Sequence, residues 1–281
     1  MIDLHTHTDE SDGTYTPAQL VAEAVSSKLD ALGITDHDTL AGYDVAAPLA
    51  KSVGLDLVCG IELSTKLRGR SVHLLGYFLG EPPTQAFRDW LREMQLSRRD
   101  RNVRLAAKLR SMGMDVSLAE VEARGKSLAG RPHFAQVMVE KGYVVDTRQA
   151  FDDFLDESAK AYVDRLEPTF AEGVKRILDG GGLPSLPHPI RVPRNGERFE
   201  ALMGEMVDAG LRALEVYHSD HSPADELMFQ EQADLYNLAI TGGSDFHGAL
   251  KPHIKLGTGA GNLCVPRAVL DRLRDVYATR A

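Results

Sequence analysis

The stretch "IDLHTHTDESDGTYTPAQLVAEAVSSKLDALGIT", residues 2–35, sets the architecture. Ile2-Asp3-Leu4 reads as a strand stub. Thr16 then offers an N-cap, Pro17 a first helical position and Gln19 a capping-box partner, which predicts a helix over about 17–28. "ALGIT" at 31–35 is a second buried strand. Before the helix begins, the chain has already placed two histidines one residue apart and then three acidic residues, Asp9, Glu10 and Asp12.

The same rhythm continues outward. A helix falls within 42–54, and further strands are expected at 55–63 and 71–79, which together imply a parallel sheet with helical crossovers. Residues 84–157 then show helical periodicity over about 84–112, 117–124, 132–141 and 147–155. From Pro168 the alternation resumes: helix 169–179, strand 183–188, helix 197–209, strand 212–217, helix 223–236, strand 238–245 and helix 266–279. Seven strands alternating with helices predict an α/β barrel interrupted by a helical insertion, with barrel segments 1–79 and 166–281 and a cap at 80–165.

Composition fits a globular chain: 281 residues, 43% hydrophobic and 26% charged. Two distant cysteines, Cys59 and Cys264, exclude a thiolate cluster and read as buried thiols. No signal-like or membrane-spanning apolar run is present, so a cytoplasmic protein without a membrane partner is expected. The net charge of −9 argues against a stable complex with long nucleic acid. Residues 80–165 stand apart, with 15 Lys/Arg against 14 Asp/Glu; "SRRDRNVRLAAKLR" at 97–110 carries six bases and one acid, and its arginine run at 98–104 reads as a solvated helix face.

Eight of the ten histidines fall at or near predicted strand ends, where parallel α/β folds build their sites. His5 and His7 follow strand one, His37 strand two and Glu62 ends strand three. His73 lies in strand four and His188 ends strand five. Glu215, His218 and His221 belong to strand six, and Asp245 and His247 follow strand seven. In extended backbone, residues i and i+2 face the same way, so His5 and His7 can converge on one metal ion, as can Asp245 and His247. Nitrogen and oxygen donors without thiolate suit zinc, manganese or iron, and Glu62 could bridge two ions. Asp9, Glu10 and Asp38 read as solvated or supporting residues, and His253 as surface.

Taken in order, "DLHTHTDESDG", "GITDHD", "GIELS", "HLLGY", "HP" and "GSDFH" resemble the PHP (polymerase and histidinol phosphatase) family of metal-dependent phosphoesterases. Within it, the chain is most similar to stand-alone 3′,5′-nucleotide bisphosphate phosphatases and 5′-to-3′ exoribonucleases. The resemblance implies a distorted (β/α)7 barrel with a helical cap and about three divalent ions, Mn, Fe or Zn. The first ion would take His5, His7, Glu62 and Asp245; the second, Glu62, His73 and His188; the third, Asp12, His37 and His247. Some members have histidine where this chain has Asp12.

"GRPHFA" at 130–135 resembles a segment that contacts substrate phosphate, making Arg131 and His133 candidates, and Arg191 matches a family arginine suited to phosphate. "HPIR" replaces His-Pro-Gly, so the loop bearing Arg191 is expected to differ. His221 aligns with a family histidine, whereas His218 has no assigned counterpart. The implied mechanism is attack on phosphorus by a hydroxide held between two ions, with Glu62 and Asp245 at the catalytic centre and His221 or Asp12 protonating the leaving oxygen.

Expected substrates are a 3′,5′-nucleoside bisphosphate or short 5′-phosphorylated RNA. A histidinol-phosphate phosphatase is the alternative, though no acidic pair for an amine is evident. A non-catalytic module would be favoured by missing ligands, and none of the nine is missing.

Overall fold

The computed structural model describes residues 1–125, 128–192 and 198–279. Seven strands form one sheet in sequence order: β1 (Ile2–Asp3), β2 (Ala31–Ile34), β3 (Asp56–Leu67), β4 (Arg70–Phe78), β5 (Leu183–Leu186), β6 (Ala213–His218) and β7 (Ala239–Gly243). The sheet curls until its ends meet. Leu4 N–H donates to the Gly242 carbonyl at 3.2 Å, His7 N–H to Phe246 at 3.0 Å, and Asp245 N–H to His5 at 2.9 Å. A Cβ on Gly243 would lie 2.3 Å from the His5 backbone nitrogen, so this seam needs glycine. The buried Asp3 carboxylate locks it by accepting from Ser244 Oγ at 2.6 Å and Gly257 N–H at 2.8 Å.

The helices around the barrel begin where their caps place them. Helix α1 (Pro17–Ser26) starts with the Thr16/Gln19 capping box, and α2 (Ala41–Val53) ends at Gly54 with φ +70°. The cap contributes α3 (Gln85–Ser111), α4 (Leu118–Glu122), α5 (Arg131–Glu140) and α6 (Thr147–Ala150), which runs into a π-turn at Phe151–Leu155. Helices α7 (Phe170–Asp179), α8 (Phe199–Asp208), α9 (Pro223–Leu235) and α10 (Arg267–Ala278) complete the shell. The expected start of the α8 helix at Glu197 lies outside the described residues.

One strand runs against expectation. β4 pairs antiparallel with both β3 and β5, while the other pairs are parallel. A parallel crossover needs a dozen or more residues, whereas β3 extends to Leu67 and turns through Arg68 (φ +50°) and Gly69 (φ +79°), a two-residue hairpin. The reversal pairs His73 with Ser64, so the start of β4 lies beside the far end of β3.

Helix α3 divides between two cores. Phe87, Trp90 and Leu91 join the barrel core, while Leu105, Ala106 and Leu109 join a second cluster with Phe134, Met138 and Leu155. The expected solvated face of α3 holds for Arg99 and Arg104, which are exposed, but Arg98 and Arg101 are buried, and Asp38, a candidate supporting residue, is buried with them. Asp38 accepts from Arg98, from Arg165 at 3.1 Å and from Ser64 N–H at 2.8 Å, pinning α3 to the end of β2. A charge can be buried at this place only because it is paired on several sides. Cys59 is buried as expected, but Cys264 is exposed. Among the described residues no helix is long and apolar enough to cross a membrane.

Candidate metal centre

The closing seam brings the two ends of the chain together. Thr6 turns outward to give its hydroxyl to the Gly33 carbonyl at 2.7 Å, so His5 and His7 face inward on either side of it. Between them and the rest of the cluster stands Glu62. Its Oε2 lies 3.3 Å from His5 Nε2, 3.2 Å from His7 Nε2 and 3.3 Å from His37 Nδ1. Its Oε1 lies 2.9 Å from both His73 Nδ1 and His188 Nε2. Asp12 faces His247 Nε2 at 3.3 Å and His37 Nε2 at 3.7 Å, and Asp245 Oδ1 faces His7 Nε2 at 3.4 Å.

Among the described residues, three groups of donors are compact enough to enclose an ion: His5, His7, Glu62 and Asp245; His7, Asp12, His37 and His247; and His37, Glu62 and His73. All nine expected ligands are thus brought into one cluster, with His188 joining through Glu62.

The residues fit a metal on their own chemistry. Both ring nitrogens of His7 are buried without a hydrogen-bond partner, an arrangement costly unless something electropositive fills the space. His5 Nδ1 faces Glu215 Oε1 at 3.0 Å and His247 Nδ1 faces the Asp245 carbonyl at 2.8 Å. With those nitrogens donating, each Nε2 keeps its lone pair for a ligand, the usual carboxylate- or carbonyl-backed arrangement.

The charges are strongly coupled. Burial raises the carboxyls of Glu62, Asp12 and Asp245, but His37 and its neighbouring histidines for the first two, and Lys251 and His247 for the third, outweigh it and hold all three well below the usual range. Burial pushes His37 down to about 3 and His188 to about 4, leaving them as neutral donors. His7 rises to about 9 because Asp245 and Glu62 overcome its burial. His188 (φ +29°) and Asp245 (φ +57°) sit in backbone regions that side-chain-bearing residues seldom occupy.

A cavity of about 280 Å³ opens over the cluster, roofed by Pro132, Gln136 and Phe151 of the cap and rimmed by Arg191 and Lys251. Beside it lies a second cavity of about 220 Å³, which shares Asp12, His37, His73, Pro132 and Phe151 and is lined by Arg98, Arg101, Arg131 and Arg165. Arg98 pairs with Asp38, and Arg165 with both Asp38 and Glu167. Arg101 is 4% exposed, donates Nε to Asn102 at 3.0 Å, and has no carboxylate within ion-pair distance among the described residues. Burial and the adjacent Arg98, Arg165 and Arg131 press its guanidinium well below the ordinary range.

The remaining expected residues are spread more widely. Arg131 lines the arginine cavity and donates to the Leu155 carbonyl at 3.2 Å. His133 is buried in the cap, its Nδ1 accepting Gly130 N–H at 3.0 Å at the start of α5. Arg191 donates to Asp245 at 2.9 Å and to Asp220 at 2.8 Å. His221 is buried with Nδ1 2.7 Å from the Val216 carbonyl and its ring against Phe229; it lines neither cavity. His253 is exposed. Sequence reading passed over Arg98, Arg101, Arg165 and Lys251. The i, i+3 spacing of Arg98 and Arg101, which puts both on one face of α3, was the available signal.

A PHP domain family model matches residues 3–167. The chain is 30% identical to a 5′-3′ exoribonuclease of Haemophilus influenzae, over 87% of this chain and 89% of that one. It is also 30% identical to a 3′,5′-nucleoside bisphosphate phosphatase of Chromobacterium violaceum, over 88% and 87%. A crystal structure from Bifidobacterium adolescentis, described as a candidate metal-dependent phosphoesterase, superposes with a TM-score of 0.85 at 29% identity, covering 98% of this chain and 96% of that one.

Proposed function

Because the chain belongs to the PHP domain family and is a metal-dependent hydrolase of phosphoric ester bonds, we propose that its substrate carries two phosphoryl groups on one nucleotide unit: a 3′,5′-nucleoside bisphosphate or the 5′-phosphorylated end of a short RNA. The observation that carries this reading is the arginine cavity sharing a wall with the metal-ligand cavity. A buried arginine without a carboxylate is costly unless an anion completes it, and a phosphate can accept its paired N–H groups.

The donor set would hold up to three divalent ions, Mn, Fe or Zn: His5, His7, Glu62 and Asp245 around one, Glu62, His73 and His188 around another, and Asp12, His37 and His247 around a third. Such ions supply Lewis acidity and a nucleophile generated from water at neutral pH.

The chain's own groups do the rest. Arg191 and Lys251, on the rim, would grip the non-bridging oxygens of the scissile phosphate as charge accumulates. Arg101 and Arg131 would fix the second phosphate, which sets the distance between the two ends of the substrate. Pro132 and Phe151, common to both cavities, offer an apolar wall against the part that joins them. His221 lies behind the site, so a proton from it would have to reach the leaving oxygen through water. Residues 80–165 would thus serve as a specificity cap over a general phosphoesterase barrel.

The test is a metal-reconstituted assay comparing nucleoside 3′,5′-bisphosphate, a short 5′-phosphorylated RNA and histidinol phosphate. Preferred turnover of either nucleotide substrate supports the reading. Brisk hydrolysis of histidinol phosphate with neither nucleotide turned over rejects it.

A further inference from the structure

His218 ends β6 and is fully buried, yet it belongs to none of the ion-enclosing groups found among the described residues. Its ring nitrogens are told apart by their neighbours. Nδ1 accepts the backbone N–H of Asp220 at 3.0 Å, so it carries a lone pair and the proton of the neutral ring sits on Nε2. This is the reverse of His5 and His247, whose Nδ1 atoms face oxygens and whose Nε2 atoms are free to ligate. The Nε2 of His218 has no hydrogen-bond partner, and Asp245 Oδ2 lies 3.7 Å from it.

We propose that His218 is a positioning residue: an Nε2–H donor, not a metal ligand, poised to close the 3.7 Å gap to the outer oxygen of Asp245 and so keep the inner oxygen turned to the metal-ligand histidines. Asp245 needs such a hold, since its backbone lies at φ +57° and its two oxygens face different surroundings. Oδ1 faces His7 at 3.4 Å and His247 Nδ1 at 3.4 Å. Oδ2 takes Arg191 at 2.9 Å and Lys251 at 2.7 Å.

Those two cations line the cavity and are 40% and 31% exposed in their side chains, whereas His218 is 0% exposed. A phosphoryl group entering the cavity competes with Asp245 for Arg191 and Lys251 but has no route to His218. With both drawn away, the donor left to close on Asp245 is the buried imidazole. This last step rests on the phosphoester reading above; the tautomer and the hold on Asp245 do not.

Two measurements test it on the full chain. The first is a long-range proton–nitrogen-15 spectrum of the metal-free protein, with His218 assigned by comparison with His218→Gln. It should show the Nε2–H tautomer, and an Nδ1–H signal overturns the proposal. The second is Mn²⁺ titration by calorimetry. His218→Leu, close in volume but without a donor, should lose about 10- to 100-fold in affinity, the usual cost of a ligand-orienting group. His218→Gln, whose amide nitrogen can take the place of Nε2, should recover most of that loss.

Unchanged affinity in His218→Leu, or a Gln variant no better than Leu, overturns the proposal. Should His218→Leu fail to fold, the tautomer of the unsubstituted protein decides the matter. Neither measurement uses a nucleotide, so failure of the substrate assay leaves the assignment of His218 standing, and the reverse holds too.

Discussion

The histidine cluster at the barrel's end and the arginine cavity of the cap bury charge in opposite ways. At the barrel, the carboxylates of Asp12, Glu62 and Asp245 stand among histidines, a donor-rich set in which Lys251 and Arg191 reach Asp245 and leave Asp12 and Glu62 to the imidazoles. In the cap wall, four arginines crowd together with Asp38 and Glu167 as their acids, and among the described residues Arg101 and Arg131 are left over. The two regions have complementary deficits a few side chains apart. One has the donors for metal cations; on the proposed reading the other takes an anion, and a substrate bearing two phosphates would satisfy both at once.

The largest effect should come from the residue that most of the cluster faces. Glu62→Gln keeps the volume but removes the charge shared by His5, His7, His37, His73 and His188. It should lower bound metal, measured by elemental analysis, and reduce turnover by more than the roughly 100-fold typical of an outer orienting residue. Full activity in this variant would break the view of the barrel end as a cation site. Chelation should act on the same side of the comparison: activity falls to background and returns with Mn, Fe or Zn. A metal at about 100 times its dissociation constant should add about 2.7 kcal/mol of stability, read as a rise in melting temperature.

On the anion side, Arg101→Met should do two things of opposite sign. KM for a nucleoside 3′,5′-bisphosphate should rise about 10-fold, matching a lost charged hydrogen bond of roughly 1.5 kcal/mol, with little change for a monophosphate. The unliganded protein should meanwhile be slightly stabilised, because an unpaired buried charge has gone. A loss of stability without a change in KM would make Arg101 a structural residue and dissolve the contrast. Asp38→Ala probes what joins the two regions. It strands Arg98 and Arg165, and a cost of about 3 kcal/mol is expected, a fall in melting temperature of roughly 6–12 °C. The smallest effect belongs to Cys264→Ser, exposed and remote from both cavities, which should leave melting temperature and turnover within error.

Much of this was written locally in the chain. Thr16, Pro17 and Gln19 announce α1 because capping is a contact between near neighbours, and the structure shows the capping box closed. His5-Thr6-His7 announces convergence because alternation along extended backbone depends on nothing further away. The antiparallel course of β4 was hidden because the apolar run 71–79 looks the same in either direction. The clue lay in the seven residues between Leu63 and Ser71, too few for a crossover. The burial of Arg98 and Arg101 was hidden because a basic helical run has the same composition whether its arginines face solvent or a packed interior.

The sequence by itself therefore determined the elements, their order and the donor set of the barrel end, since each of these follows from interactions within a few residues or from the strand-end positions of the chemistry-bearing side chains. The tertiary structure decided which charges are buried and which nitrogen of each histidine holds a lone pair. Those depend on partners that only folding supplies: Asp38 for Arg98 across 60 positions, and Glu215 for His5 across 210. Asp245, facing Nε2 of His218, is likewise distant in sequence, whereas the N–H set against its Nδ1 comes from nearby Asp220. The atom set against Nδ1 is what separates the histidines: an oxygen for His5 and His247, a backbone N–H for His218.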